Sequence, residues 1–314
     1  MTTAALNQTT LLLELEQVVE QNLERHITVA KEWFPHEYIP WSEGRTFDGV
    51  LGGDPWTVED SPLSDVARSA LIVNLLTEDN LPSYHHEVAA LFGREGAWGE
   101  WVHRWTAEEG RHGAAIRDYL LVKRAVDPIA LERARMDHMA NGYVSAHQSD
   151  LLRSLAYVSF QELATRVSHR NTGRMTGDPV CDQLLARVAA DENLHMIFYR
   201  NLLGAALQLA PDQTMRAITD VVATFEMPGA DIAGFQRKAV EMAVAGVYDL
   251  RQHRDDVVMP VLKYWKVFDV EGLSEQGESA LQELAVLLDK LDSDATRFED
   301  KRDALKARMQ RRAG

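Results

Sequence analysis

Apolar residues recur at helical spacing along most of this chain. Between residues 11 and 31 they lie three and four positions apart, as on one face of an α-helix. Similar patterns cover residues 97–126, 144–170 and 179–210, and a last one covers 274–312. No alternation of apolar and polar residues competes with them. The pattern therefore predicts an all-α protein.

Prolines mark where several of these helices begin. Ser61-Pro62, Asp127-Pro128 and Asp178-Pro179 each place a capping side chain directly before a proline, which is a common helix start. The helix that begins at Ser61 is predicted to run to Phe92. Pro82 lies inside it and should bend it or loosen its hydrogen bonding.

The remaining segments are predicted to be shorter or irregular. Residues 34–60 hold several prolines and glycines, so we expect an ordered arm that lies on the body of the protein. Shorter helices are predicted over 211–226 and 233–258. A turn is expected at 173–177, and residues 262–272 are expected to be irregular or extended.

Helices of about 30 residues are about 45 Å long, and short turns between them favour antiparallel packing in a bundle. We therefore predict one helical domain with three parts. They are an N-terminal helix and arm at 1–60, a bundle at 61–258, and a C-terminal extension at 259–314.

Composition and charge narrow the functional class. The chain has 314 residues, of which 46% are apolar and 26% charged, and its formal net charge is −15. This charge argues against nucleic acid as a partner, because phosphate binding needs a basic face. No apolar run is long enough to span a membrane, and no targeting segment is visible at the N-terminus. With Cys181 as its single cysteine, the protein is expected to be cytoplasmic.

The pattern Glu-x-x-His places a carboxylate and an imidazole on one helical face, because positions three apart lie above one another. It occurs at Glu100 with His103, at Glu109 with His112 and at Glu192 with His195. One copy alone would be weak. The signal is stronger because Glu78 precedes Glu109 by 31 residues and Glu162 precedes Glu192 by 30.

This spacing brings mid-helix positions level on antiparallel neighbours. Four carboxylates and two imidazoles can then meet in the core, which is the ligand set of di-iron and di-manganese carboxylate bundles. Two divalent cations would neutralise four glutamates whose burial would otherwise be prohibitive. Oxygen and imidazole donors without cysteine favour iron or manganese over structural zinc. Glu100 and His103 lie about half a turn out of phase, so we expect them at the surface.

Four segments around these residues closely resemble soluble acyl-[acyl-carrier-protein] desaturases, and shorter matches extend the resemblance from Trp33 to about Gly277. The four segments are Thr77-Glu78-Asp79-Asn80-Leu81-Pro82, Trp105-Thr106-Ala107-Glu108-Glu109-Gly110-Arg111-His112-Gly113, Ser159-Phe160-Gln161-Glu162-Leu163-Ala164-Thr165 and Ala189-Ala190-Asp191-Glu192-Asn193-Leu194-His195. The shorter matches are Ser168-His169-Arg170-Asn171-Thr172, Met227-Pro228-Gly229 and Trp265-Lys266-Val267.

The resemblance implies a ferritin-like bundle, usually a homodimer, that inserts a cis double bond into an acyl chain with O2 and two iron ions. It places the iron ligands at the six positions already derived. It matches Thr165 to a hydroxyl beside the oxygen-binding face, with a hydroxyl bonded to its own helix as the alternative. Asp191 and Trp33 match an electron path that reaches the metal through His112; for Trp33, a hydrophobic anchor for the arm is the alternative.

The resemblance also implies two protein partners, the acyl carrier protein and a ferredoxin-type electron donor. The carrier is acidic, so local cations should bind it. The candidates are Arg237, Lys238, Arg251, Arg254, Lys301, Arg302, Lys306, Arg308, Arg311 and Arg312. The sequence leaves the docking face open.

Two other functions remain possible on the same scaffold: a di-iron hydroxylase or oxidase, and a non-catalytic iron-binding protein. Gly110, inside the helix of Glu109 and His112, is a departure from the family's pattern. Glycine there should loosen the helix by up to about 1 kcal/mol relative to alanine and alter the geometry beside a ligand, which weakens the transfer of the family's activity to this chain. An apolar stripe lies beside the ligands at helical spacing. We expect its residues to belong to the ordinary core, with a substrate-binding surface as the alternative. The stripe consists of Trp105, Ile116, Tyr119 and Val158.

Overall fold

A computed structural model describes residues 5–313 except 145, 148, 228, 230, 231 and 233, without the side chains of 309, 310, 312 and 313. Pro228 and the side chain of Arg312 therefore lie outside the described residues. Within the described part, the regular structure is helical, and a single isolated bridge between Phe47 and Asp54 is the one β-type pairing. The all-α prediction is confirmed.

The helices follow one another with short connections. Their bounds are α1 Gln8–Val29, α2 Asp65–Asp79, α3 Leu81–Phe92, α4 Gly96–Val122, α5 Pro128–Asn141, α6 Leu151–Thr176, α7 Pro179–Leu209, α8 Pro211–Thr224, α9 Phe235–Ala245, α10 Leu250–Gln252, a π-helical segment His253–Val258, α11 Met259–Trp265 and α12 Glu275–Ala313. Short 3-10 turns lie in the arm that joins α1 to α2. None of the described helices is long and apolar enough to cross a bilayer.

Helices α2, α4, α6 and α7 form the bundle that surrounds the site. α6 and α7 are a hairpin packed along its whole length, α2 packs on α4 and on α6, and α4 packs on α7. α1 lies across α4 and α7, while α8 packs on α6 and α12 packs on α8. The leucines that α1 buries, together with Trp98 and Trp101 of α4, belong to the largest apolar cluster of the molecule.

The first bundle helix begins later than predicted. Ser64, not Ser61, is its N-cap, and the Ser64 hydroxyl accepts a hydrogen bond from the backbone N–H of Ala67. The Ser61 hydroxyl instead donates to the carbonyl of Ala125, 2.8 Å away. A serine before a proline therefore anchors the arm here.

A break at Asn80 divides the predicted long helix into α2 and α3. Pro82 lies in the first turn of α3, where a missing N–H costs no hydrogen bond. Glu78 consequently lies at the end of α2, and the prediction of a mid-helix position for it was wrong.

The first helix of the α6–α7 hairpin begins and ends later than the predicted range of 144–170, so both predicted ends were wrong. α6 begins at Leu151, capped by the Asp150 side chain, and continues past the glycine at 173 to Thr176. A Cβ at Gly173 would lie 3.0 Å from the Asp182 carboxylate. The glycine thus allows close helix packing, and the predicted turn shrinks to Gly177, whose φ is 69°.

The helix predicted over 233–258 is interrupted. α9 ends at Gly246, whose φ of 88° is unfavourable for other residues. Asp249 then starts α10 with a capping box, and the chain continues through the π-helical segment to Trp265. The irregular stretch begins only at Lys266, so the prediction of irregular structure from residue 262 was wrong.

Gly110 and Gly113 of α4 should respond oppositely to alanine. A Cβ at exposed Gly110 would meet only Leu81 Cδ2, at 3.8 Å. Gly110→Ala should therefore raise the free energy of unfolding by about 0.5–1 kcal/mol. A Cβ at Gly113 would lie 3.3 Å from the Asp79 carboxylate and 3.4 Å from Cβ of Glu78, so Gly113→Ala should lower it. Denaturant unfolding of the two variants tests this, and equal effects would contradict it.

Candidate metal centre

The six predicted ligands converge in the middle of the bundle. Glu78 comes from α2, Glu162 from α6, and the two Glu-x-x-His pairs from α4 and α7. All six side chains are buried. The predicted surface pair, Glu100 and His103, is exposed, because it lies on the opposite side of α4.

Their donor atoms form two overlapping groups. One contains Glu78, Glu109, His112 and Glu192, and the other contains Glu109, Glu162, Glu192 and His195, with the donor atoms of each group within 4.8 Å of one another. Glu109 and Glu192 belong to both groups. The arrangement is suited to two cations side by side with these two carboxylates between them.

Each histidine turns its Nδ1 atom towards the carboxylates. Nδ1 of His112 lies 3.1 Å from Glu192 and 3.4 Å from Glu109. Nδ1 of His195 lies 2.7 Å from Glu109 and 3.7 Å from Glu162. The Nδ1 atoms are therefore the imidazole atoms available to a metal.

These inward-facing atoms lack well-aligned hydrogen bonds although they are buried. Such atoms occur on five of the six residues: Glu109 Oε1, His112 Nδ1, Glu162 Oε2, Glu192 Oε1 and His195 Nδ1. Unsatisfied buried polar atoms are costly and rare in folded proteins. Their convergence is explained if they bind cations, so these residues fit a pair of divalent metal ions.

The electrostatics also require positive charge at this place. Burial and the repulsion of Glu192 raise the pKa of Glu162 well above its usual range. Burial alone would lower the pKa of His112, but Glu109 and Asp191 raise it well above its ordinary value. Without metal, protons must therefore supply the charge that two divalent ions would provide.

A second pair of acids holds the outer edges of both histidines. Asp191 and Glu108 each directly precede a glutamate of the centre, and each contacts the histidine of the other motif. Nε2 of His112 lies 3.4 Å from Asp191, and Nε2 of His195 lies 2.9 Å from Glu108. Such carboxylates fix ring orientation and tautomer, leaving the other nitrogen for the metal.

Trp33 and Asp191 form a continuous contact with His112. The Trp33 indole donates to Asp191 over 2.7 Å, and its ring stacks on the His112 ring at 6.4 Å between centroids. Burial tends to raise the pKa of Asp191, but bonds from His112 and Trp33 together with the charge of Arg187 hold it at about 2. Trp33 also packs in an apolar cluster, so it anchors the arm as well.

Two residues beside His195 were missed from the sequence. Oε2 of Glu108 lies 2.9 Å from Nε2 of His195 and 2.9 Å from Nε2 of His26. Arg104 binds the other oxygen of Glu108. Glu108 could have been noticed in the sequence, because an acid directly precedes both Glu-x-x-His pairs of the centre. His26 could not, because it lies among the apolar positions of α1 with nothing to mark it.

His26, Glu108 and His195 also lie within metal-binding distance of one another. A metal there would compete with the Arg104 guanidinium, which already holds the carboxylate of Glu108. It would also take the outer nitrogen of His195, whose inner nitrogen faces the main centre. We therefore interpret this group as support for His195.

His169 supports Glu78 in a comparable way, although the sequence marked His169 only as part of a motif. Nε2 of His169 lies 3.0 Å from Oε1 of Glu78, and Asn74 contacts the other ring nitrogen at 3.3 Å. Burial opposes ionisation of Glu78, but bonds from His112 and His169 lower its pKa.

The Thr165 hydroxyl contacts both its own helix and a carboxylate of the centre. It contacts the backbone carbonyl of Glu162 at 3.0 Å, the bond of a typical helix threonine. It also lies 3.2 Å from Oε2 of Glu192. The hydroxyl is therefore directly beside the centre.

Two cavities meet at the centre, and Thr77, Glu78 and Thr165 line both. The narrow one, about 80 Å³, extends to Leu91 and Phe92. The wider cavity has a volume of about 530 Å³ and a partly polar lining. The polar lining residues that it does not share with the narrow cavity include Asn74, Ser168, His169, Glu226, Gln236 and Tyr248.

Of the apolar stripe noted in the sequence, Trp105 and Val158 line the narrow cavity. Ile116 and Tyr119 are ordinary core residues.

Comparison with known proteins agrees with this geometry. The profile of the family described as Fatty acid desaturase matches residues 7–313. This chain belongs to the fatty acid desaturase family. The resemblance seen in the motifs is confirmed, and the desaturase is an oxidoreductase.

Two relatives and one solved structure illustrate the similarity. The chain is 52% identical over 303 residues to DesA1 of Mycobacterium tuberculosis, named as a candidate acyl-[acyl-carrier-protein] desaturase, covering 94% of this chain and 89% of DesA1. It is 30% identical over 291 residues to the chloroplastic stearoyl-[acyl-carrier-protein] 9-desaturase of Gossypium hirsutum, covering 87% and 72% of the two chains. The X-ray structure of DesA2 from Mycobacterium tuberculosis superimposes with a TM-score of 0.71 at 32% identity, covering 87% of this chain and 99% of that one.

Glu109→Ala in the desaturase should abolish binding of both metal ions, because this carboxylate belongs to both donor groups. Glu100→Ala, on the outer side of the same helix, should leave metal content unchanged. Elemental analysis of the two reconstituted variants provides the measurement. Equal iron content in the two variants would refute the assignment of Glu109, rather than Glu100, to the face of α4 that points to the metal centre.

Glu108→Ala should weaken the metal position at His195 by about 10- to 100-fold, the usual effect of removing an outer carboxylate. His26→Leu should weaken it less, and His26→Gln should restore part of the loss because an amide can still donate to Glu108. Titration with Mn²⁺ followed by electron paramagnetic resonance resolves the two positions. Wild-type binding in both Glu108→Ala and His26→Leu would contradict the supporting role.

Proposed function

We propose that this desaturase inserts a cis double bond into an acyl chain carried on acyl carrier protein. The observation that carries the proposal is the pair of overlapping donor groups beside two cavities that share Thr77, Glu78 and Thr165 as lining residues. The names of DesA1 and of the Gossypium hirsutum desaturase specify an acyl-carrier-protein substrate for those relatives.

We propose two iron ions as the resident metals. Glu109 and Glu192 would lie between them, with His112 and His195 completing one position each. Carboxylate and imidazole donors suit iron, and a reduced pair of irons supplies the chemistry of O2 activation needed to oxidise an unactivated methylene.

The protein's own part in the reaction is to place the chain and exclude water. We propose that the methyl end of the acyl chain occupies the narrow cavity, whose lining includes the apolar side chains of Leu91 and Phe92. The polar thioester end would lie in the wider cavity, which has polar side chains to accept it. The carbons to be oxidised would then lie at Thr165 and Glu78, which line both cavities.

Two electrons per turnover must come from outside, because the sequence has no nucleotide-binding fingerprint and only one cysteine. We propose a ferredoxin-type donor and entry through Trp33, Asp191 and His112. The support is the contact of 2.7 Å between the Trp33 indole and Asp191, and the stacking of Trp33 on His112. The desaturase is further proposed to be a cytoplasmic homodimer with one helical domain per chain.

The test is incubation of the iron-loaded enzyme with carrier proteins bearing acyl chains of several lengths, reduced ferredoxin and O2. Mass analysis should show a product lighter by two hydrogen atoms. A product heavier by one oxygen atom would establish a hydroxylase instead. An unchanged acyl chain, despite two bound irons, would overturn the enzymatic proposal.

A further inference from the structure

Three arginines lie four residues apart on one face of α6. Arg166, Arg170 and Arg174 line a groove of about 480 Å³, together with Arg200 of α7. The opposite wall is formed by residues between Gln252 and Val261. Arg174 is exposed, and Arg166 and Arg200 are half-buried, so the groove presents positive charge to solvent.

Much of this charge is not neutralised by the protein itself. Arg170 pairs with Asp182 at 2.9 Å, but neither Arg166 nor Arg174 has an ion pair or side-chain hydrogen bond within the described part of the chain. Arg200 has no ion pair in the described part of the chain, and its guanidinium lies over the ring of Tyr264, 3.6 Å from the ring centroid. Burial lowers the pKa of Arg200, although the contact with Tyr264 opposes this shift. Like charges gathered without counter-ions favour an anionic partner.

Two carboxylates also line the groove but do not cancel the arginines. Asp255 is held by Arg254 at 2.5 Å. Only Asp256 then opposes Arg166, Arg174 and Arg200 across the groove.

Of the ten cations that the sequence suggested for docking, Arg251, Arg254 and Arg302 are already paired with acids of the same region. Arg251 contacts Asp292 at 2.6 Å, and Arg302 contacts Asp249 at 3.0 Å. Arg254 is committed to Asp255, as described above. These three arginines hold α12 and the π-helical segment in place, so their charge is less available to a partner.

The groove and the wider cavity are lined by neighbouring residues of the same two segments, α6 and α10. His169 lines that cavity and its neighbour Arg170 lines the groove. On the other side, Leu250 lines the cavity and Gln252 the groove. Asn171, which lines the groove, ties α6 to the segment before α10, because its side-chain amide donates to the carbonyl of Val247 over 2.9 Å. A protein bound at the groove would therefore lie next to the cavity assigned to the thioester end.

We propose that Arg166, Arg174 and Arg200 form the docking face for the acidic carrier protein. This inference rests on the proposed function. With a net charge of −15, the enzyme as a whole repels an acidic protein. A local positive surface beside the wider cavity would both attract the carrier protein and set its orientation.

The double variant Arg166→Glu/Arg174→Glu tests the docking face. Its dissociation constant for a bacterial acyl carrier protein in the apo form should rise at least tenfold, and its KM for the acylated carrier should rise in parallel. Wild-type binding should weaken with added salt more steeply than binding by the variant. Carrier variants with single acidic residues changed to lysine should recover part of the lost affinity.

The matched control is Arg94→Glu/Arg133→Glu, which reverses two exposed arginines that do not line the groove. It should keep wild-type carrier affinity, and both double variants should keep wild-type iron content. Unchanged affinity in the groove variant, or an equal loss in the control, would overturn the docking face. So would loss of ferredoxin binding alone, or loss of carrier binding only when Arg237 and Lys238 are reversed.

The binding measurement separates this inference from the proposed function. Carrier affinity that depends on the groove, without desaturated product, would overturn only the function. Desaturation with unchanged carrier affinity in the groove variant would overturn only the docking face.

Discussion

Repulsion among four buried carboxylates is the constraint on which the architecture of this protein depends. Two like charges about 4 Å apart in a partly screened interior repel by about 4 kcal/mol, and Glu78, Glu109, Glu162 and Glu192 all lie closely together in the bundle core. The bundle accepts them only with compensating positive charge, whether protons on the histidines or divalent ions. The buried carboxylate oxygens and Nδ1 atoms that lack well-aligned hydrogen bonds fit a pair of divalent ions.

The outer structure is arranged to keep those donors turned inward. Asp191 and Glu108 take up the outer nitrogens of the two histidines, and His169 holds Glu78. The segment from His26 to Trp33 reaches both acids, since His26 contacts Glu108 and Trp33 contacts Asp191. The N-terminal helix and arm therefore belong to the centre, although they supply no ligand themselves.

Much of this could be predicted from the sequence, because helical periodicity and ligand spacing are local properties. The order of the long helices and the convergence of six side chains follow from them. Where α2 begins and where it breaks did not follow, since Ser61 is bound by Ala125, far away in sequence. The π-helical segment and the passage of α6 through Gly173 likewise depend on packing against neighbours. His26 was beyond prediction for the same reason, whereas Glu108 had a visible counterpart in Asp191.

Anomalous X-ray diffraction at the iron edge, from crystals of the iron-loaded protein, tests the centre most directly. The account predicts two peaks in each chain. One should be bound by Glu78 and His112, the other by Glu162 and His195, with Glu109 and Glu192 between them. A single peak, or a peak held by His26 and Glu108, would contradict it.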